Sequence, residues 1–269
     1  MSTKTYKRVF SHLYITLGAF VLASGLAHAN PENGQVVGGN ASIETIGKKL
    51  NVRQTSQKAI INWNSFNIAP DEHTQFHQPD ASSFTLNRVQ DTNPSNIQGM
   101  LTANGNIAII NPNGIYFDKG AQVDVGGLVA SSADISDDDF MNGRGNFTNT
   151  GKADAKIINN GTITAKDAGL VGLVAPHVEN NGIIKANLGK VTLSSGDTFV
   201  YDFNGDNLIN VAADSNNNAT TKNAVNTGFI KADGGQVYMT AGDARRAVDS
   251  LVTNTGVIEA KSVSQKNGK

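Results

Sequence analysis

The chain has 269 residues, no cysteine and a formal net charge of -1, with its 22 Lys and Arg scattered along its length. That length fits one large domain or two small ones; the charge excludes the basic field of a nucleic-acid binder, and the missing cysteines exclude a disulfide-stapled fold. Aromatics make up only 6% against 28 Gly and 32 Asn, so the interior has to be filled by Val, Ile, Leu and Ala, with Asn and Gly kept for turns that need positive φ.

Residues 1–29 read as a secretory signal peptide. Lys4, Lys7 and Arg8 give a positive start, Leu13 to Leu26 an apolar run, and Ala27-His28-Ala29 an A-x-A cleavage site before Asn30. The run is shorter than the roughly 20 residues of a membrane span. Residues 30–80 hold the single Trp63 with Phe66 and Phe76 and lack a clean repeat, so they are expected to form an N-terminal cap and first coils. Gly105 to Ile110 and Ala121 to Val125 alternate as strands, and a short helix is expected near Ser136 to Met141.

From residue 159 one phrase recurs. Asn159-Asn160-Gly161-Thr162-Ile163-Thr164-Ala165 returns as Asn180-Asn181-Gly182-Ile183-Ile184-Lys185-Ala186, again from Asn226 to Ala232, and again from Asn254 to Ala260. A second phrase, Gly189 to Asp197 and Gly235 to Asp243, follows later copies. Each phrase reads as a tight turn and an alternating strand, so the unit is turn, strand, turn, strand. The glycine spacings are 21 and 28 residues, with a 46-residue interval from Gly182 to Gly228 that holds a surplus near 199–224. Such periods without helical patterning predict an all-β, right-handed, single-stranded parallel β-helix. In the surplus, two alternating runs flank Asn204-Gly205, the signal for a hairpin projecting from the solenoid, and Asn216 to Asn218 read as a loop. No closing cap is visible after Ala260, so the chain reads as truncated relative to a longer parent.

An ordered set of phrases carries a resemblance: Ile61 to Ile68 around Trp63, Leu86-Asn87-Arg88-Val89, Asn93-Pro94-Ser95-Asn96-Ile97-Gln98-Gly99, Asn111-Pro112-Asn113-Gly114-Ile115 and Val125 to Ser131. The mature chain, 30–269, resembles the filamentous haemagglutinin N-terminal domain, also called the haemagglutination activity or two-partner-secretion domain. The upstream N-P-N-L motif of part of that family is replaced here by Asn93-Pro94-Ser95, as in the high-molecular-weight-adhesin branch. The resemblance implies entry by the Sec route, recognition by an outer-membrane β-barrel translocator with POTRA domains, and folding outside a Gram-negative cell at the front of an adhesin or haemolysin. Host-cell or surface glycans are expected partners of such an exoprotein, and no cofactor is implied.

Pro112 fixes φ near -65° and lacks an N–H, while Asn113-Gly114 can supply positive φ, so Asn111 to Ile115 should form a rigid corner between strands. That corner is the expected secretion motif, with Asn93, Pro94 and Ser95 as its secondary partner. His73 and His77 have metal-like spacing only on a helix, and here they sit in a strand-like alternation. Asp134 and Asp137 to Asp139 could mark a hard-cation site but read better as a solvated loop. Asp202 to Asp206 misses the calcium-loop pattern, and Gly145 to Lys152 misses the phosphate-loop spacing. No metal site and no catalytic residue is expected. The competing readings are a polysaccharide lyase or hydrolase on the same fold, and a short stand-alone exoprotein.

Overall fold

A computed structural model describes residues 30–149, 151–196, 198–203, 209–211, 223–241 and 252–261. The signal segment with Ala27 and Ala29, the Asn204-Gly205 turn and the Asn216 to Asn218 loop lie outside them.

The chain winds through three sheets in turn. From Asn106–Ile110 it passes to Ile115–Phe117, then to Gln122–Val125, and returns to the first sheet at Gly127–Ser131. Repeated coils build an eight-stranded, a six-stranded and a nine-stranded sheet, parallel from coil to coil. This is a parallel β-helix, and the chirality of parallel crossovers makes it right-handed. Each coil has three strands rather than the two of the sequence reading. The missed strands, such as Lys156–Asn159 and His177–Asn180, are four residues long and end on the first Asn of the repeat. Four alternating residues leave too little pattern for a strand to be recognised.

The register stacks like on like. Ile163, Ile184, Ile230 and Ile258 pair in succession, as do Ile107, Leu128, Val171, Val191 and Val237. These aliphatic rows meet in the interior, which in its first coils also holds the rings of Trp63, Phe66, Phe76 and Phe117. At the N-terminal end Ala41–Ile46 folds back antiparallel on Lys49–Gln54, and Gln35–Gly38 runs antiparallel to Lys58–Trp63.

The repeat glycines do a different job from the one read in the sequence. Gly161, Gly182, Gly228 and Gly256 do not have positive φ. A Cβ on Gly182 would lie 2.1 Å from the Gly161 carbonyl oxygen, and one on Gly228 2.2 Å from that of Gly182. Successive backbones approach too closely at this corner for any side chain. The repeat Asn is not a turn residue either. Asn159 donates to Asn180 at 2.7 Å, Asn180 to Asn226 at 2.7 Å and Asn226 to Asn254 at 2.7 Å. Asn159, Asn180 and Asn226 are fully buried, so each coil supplies the amide partner its neighbour needs.

A second layer covers the outside of the eight-stranded sheet. Ala133–Ile135, Asn146–Asn149, Phe199–Tyr201 and Ile209–Val211 form a four-stranded antiparallel sheet. The predicted helix is present as Asp137–Met141, its N-cap Ser136 accepting from the Asp139 amide. Between the layers lies a separate apolar core. Ile60, Leu86, Ile110, Val129 and Val174 face Phe140, Phe147, Phe199 and Tyr201 across it. Aromatics scarce in the coils are thus concentrated here, with Phe147 stacked on Phe199 at 4.3 Å between ring centroids.

Candidate secretion-motif corner

The five residues Asn111 to Ile115 leave the eight-stranded sheet and enter the six-stranded one. Asn111 is fully buried, and its backbone N–H donates to Ser131 O of the next coil at 3.0 Å. Its side-chain oxygen accepts from the Asn113 amide at 2.9 Å, and the Gly114 N–H donates to Asn111 O at 3.0 Å, closing a tight turn around Pro112. Gly114 has φ 110°, and a Cβ there would lie 2.5 Å from Lys156 O. Both the dihedral and the coil above therefore demand glycine. Ile115 points into the interior and is fully buried.

The secondary motif packs directly below. The Asn111 side chain donates to Asn93 O at 3.1 Å and to Ser95 Oγ at 3.0 Å, and Ser95 N donates to Gly114 O at 3.0 Å. Asn113 donates to Asp91 O at 2.7 Å. Above, Lys152 N donates to Pro112 O at 3.0 Å. Asn93 is exposed and Pro94 half-buried, while Ser95 is buried. The fold therefore brings the two motifs of the sequence into one corner. Reading the sequence missed Asp91, Ser131 and Lys152, which contribute mainly backbone atoms and so leave no residue-type signal.

The other sequence candidates take structural places. Arg88 donates to Asp134 at 2.8 and 3.0 Å and to Ile135 O at 2.7 Å, and it pairs with Asp137 at 2.9 Å. Burial works against the Arg88 charge, but Asp134 and Asp137 outweigh it and raise its pKa. Asp138 and Asp139 pair with Arg144. The acidic run is thus matched by two arginines: Arg144 within the outer layer, and Arg88, which ties that layer to the coils. Lys58 assists by donating to Phe140 O at 2.8 Å at the end of the helix. His73 and His77 lie on one face of the strand His73–His77, about 13 Å apart at strand rise, too far to share an ion. Among the described residues, no group of three or more His, Cys, Asp or Glu is placed to hold a metal, and no helix is long and apolar enough to cross a membrane.

Fold and corner together define a parallel β-solenoid with a marked turn built into its stacking. The TPS secretion domain family matches residues 27–269, and the chain belongs to that family. It is 42% identical over 247 residues to a heme/hemopexin-binding protein of Haemophilus influenzae strain Rd, covering 89% of this chain and 26% of the relative. A second heme/hemopexin-binding protein of Haemophilus influenzae is 36% identical over 282 residues, covering 95% and 30%. The chain thus spans between a quarter and a third of the length of these curated relatives. Among solved structures, the HMW1 secretion domain of Haemophilus influenzae superposes with a TM-score of 0.75 at 34% identity, over 88% of this chain and 60% of that one. The filamentous hemagglutinin secretion domain gives 0.51 at 14% identity over 87% and 99%, a likeness of fold. Members of this family are exported by Gram-negative bacteria with a partner translocator in the outer membrane.

Proposed function

We propose that residues 1–29 direct the chain through the Sec machinery, and that 30–269 is then read in the periplasm by the POTRA domains of the outer-membrane partner. The solenoid, with its cap in 30–80 and the hairpin strands Phe199–Tyr201 and Ile209–Val211 laid on the eight-stranded sheet, folds as it emerges. The observation that carries this reading is the corner in which Asn111 is buried against Asn93 and Ser95. A fully buried side chain offers nothing to a partner that meets the folded protein. Asn111 therefore acts either on the unfolded chain or through the folding of the coil. Each new coil adds apolar burial and strand pairing, as nearest-neighbour solenoid energetics requires, and so biases the chain outward where no ATP is present.

The whole exoprotein is proposed to be a surface protein with host-cell or surface glycans among its partners, and the relatives' names add haem or hemopexin to its candidate ligands. We propose no catalysis for this part. The carboxylates that could have served a polysaccharide-cleaving site, Asp134 and Asp137 to Asp139, are engaged by Arg88 and Arg144.

The test is co-expression with and without the cognate translocator, scoring protein in the medium. Asn111→Ala should cut secretion. Binding of isolated POTRA domains to the urea-unfolded chain, and its loss on refolding, separates recognition from folding. If the folded chain binds as well as the unfolded one, and Asn111→Ala is secreted normally, the reading falls.

A further inference from the structure

The outer face of the nine-stranded sheet carries an unusual grouping near its N-terminal end. In Lys49–Gln54 the residues Leu50, Val52 and Gln54 are buried, which turns Lys49 and Arg53 outward. In His73–His77 the buried residues are Thr74 and Phe76, which turns His73, Gln75 and His77 outward. The parallel register sets Lys49 against His73 and Arg53 against His77. At strand rise and strand spacing these four groups mark a rectangle of about 13 by 5 Å. Among the described residues the side chains of Arg53 and His77 have no hydrogen-bond or ion-pair partner, while His73 Nε2 lies 2.8 Å from Thr102 Oγ1.

Beside His77 the sheet opens into a shallow cavity of about 320 Å³, lined also by Gln75, Asn104, Asp124 and Lys166. Its wall is fixed in place. Gln78 N donates to Asn104 Oδ1 at 2.7 Å and Asn104 Nδ2 returns a bond to Gln78 O at 2.7 Å, while the Gln78 side chain is clasped by Thr85, Gly105 and Asn106. His77 stands at one end of the cavity, with Arg53 beside it on the neighbouring strand, and Lys166 stands at the other end; the amides and a single exposed carboxylate, Asp124, lie between them.

We infer that this cavity binds an acidic oligosaccharide, with Arg53, His77 and Lys166 taking its sulfate or carboxylate groups and Gln75, Asn104 and Asp124 taking its hydroxyls. Guanidinium and imidazolium donors suit planar or tetrahedral oxyanions. Asp124, with Glu44 on the neighbouring strand Ala41–Ile46, disfavours a bare polyanion, whereas a sugar supplies hydroxyl donors to a carboxylate. A neutral sugar would leave Arg53 unmatched. The inference deepens the surface-glycan reading and rests on it only for the class of ligand.

The charge state follows. His73 is held below the usual histidine value by burial, then by Lys49 and His77; His77 is held there by burial, then by Arg53 and Lys49. The remaining charges around them are Lys166, Asp124, Glu44 and the Lys48–Asp71 ion pair. An anionic ligand offsets the cations and restores the protonated imidazoles, so binding takes up protons and tightens as pH falls, by linkage.

The test is calorimetric titration of the secreted, folded chain at about pH 5.5 and about pH 7.5. The probes are a sulfated hexasaccharide, an unsulfated uronate hexasaccharide, a neutral hexasaccharide and inorganic polyphosphate. At least one acidic sugar should bind about tenfold tighter at the lower pH, with proton uptake, and about tenfold weaker to Arg53→Ala and His77→Gln; the one that binds identifies the acid group. Should either variant melt early, Lys166→Ala replaces it. Binding that ignores pH and all three substitutions, or polyphosphate binding as tightly as either sugar, overturns the inference. Export is scored in the same strains, so a chain that is secreted but does not bind sinks the glycan site and leaves the secretion reading standing.

Discussion

At the scale of single residues, close approach of backbones outranks turn dihedrals. Gly182→Ala puts a methyl group 2.1 Å from the Gly161 carbonyl oxygen. The expected cost is about 3 kcal/mol, an overpacking penalty the rigid stack cannot relieve, read as a lower urea midpoint. Leu188 poses the opposite case. It holds φ 54° at the corner where the next coil has Gly234 at φ 71°, and it is 63% exposed. Leu188→Asn keeps the left-handed turn with a residue that tolerates it, and should raise stability by up to about 1 kcal/mol in the same assay. Titration also acts at this scale. The depressed His73 and His77 favour the folded state fully above their ordinary value of about 6.5, and that contribution is lost as pH falls through their lowered values. Asp80, brought to about 2 by bonds from Gln57, then Ser82 and Ser83, contributes above the ordinary carboxylate value and loses it as pH falls toward 2. Melting temperature against pH should therefore fall in two steps, and His73→Gln with His77→Gln should remove the upper one.

At the scale of elements, the outer layer is the part least attached to the repeat. It is held by its own apolar core and by Arg88 and Lys58 reaching out from the coils. Arg88→Ala leaves Asp134 half-buried without its partner and should cost about 2 kcal/mol. The loss should be local: amide exchange should speed up across 133–149 and stay slow in 170–175, whose strand pairs on both sides. Uniform acceleration in both segments would mean that layer and coils unfold as one unit. The uninterrupted burial of Leu170–Ala175 and Gly127–Ser131 has the same origin, since a sheet covered on both faces has no solvent side to alternate with.

At the scale of the whole molecule, the interior is a set of side-chain rows contributed coil by coil, so damage to it should propagate to export. Ile163 and Ile184 are register partners and fully buried. Replacing both by Asp should leave synthesis unchanged and sharply reduce the amount in the medium when the translocator is present. Normal secretion of a demonstrably unfolded product would separate export from folding. The repeat made this architecture readable without coordinates. Asn and Gly at fixed offsets, Ile and Ala two apart, and periods near 21 residues leave few folds other than a parallel solenoid. The corner at Asn111 to Ile115 was readable too, because Pro112 and Gly114 announce a rigid turn wherever they stand.

The rest was decided by stacking, which places residues 21 to 46 apart in direct contact. Sequence alone determined what is local: the Pro112–Gly114 turn, strand alternation and the period. Only the tertiary structure decided that the repeat asparagines bond to one another, that Asn93 and Ser95 lie under Asn111, and that two arginines neutralise the acidic run. It also decided that a second core covers the eight-stranded sheet. Each of these depends on which strands become neighbours, and a chain's local pattern does not specify its partner across a coil.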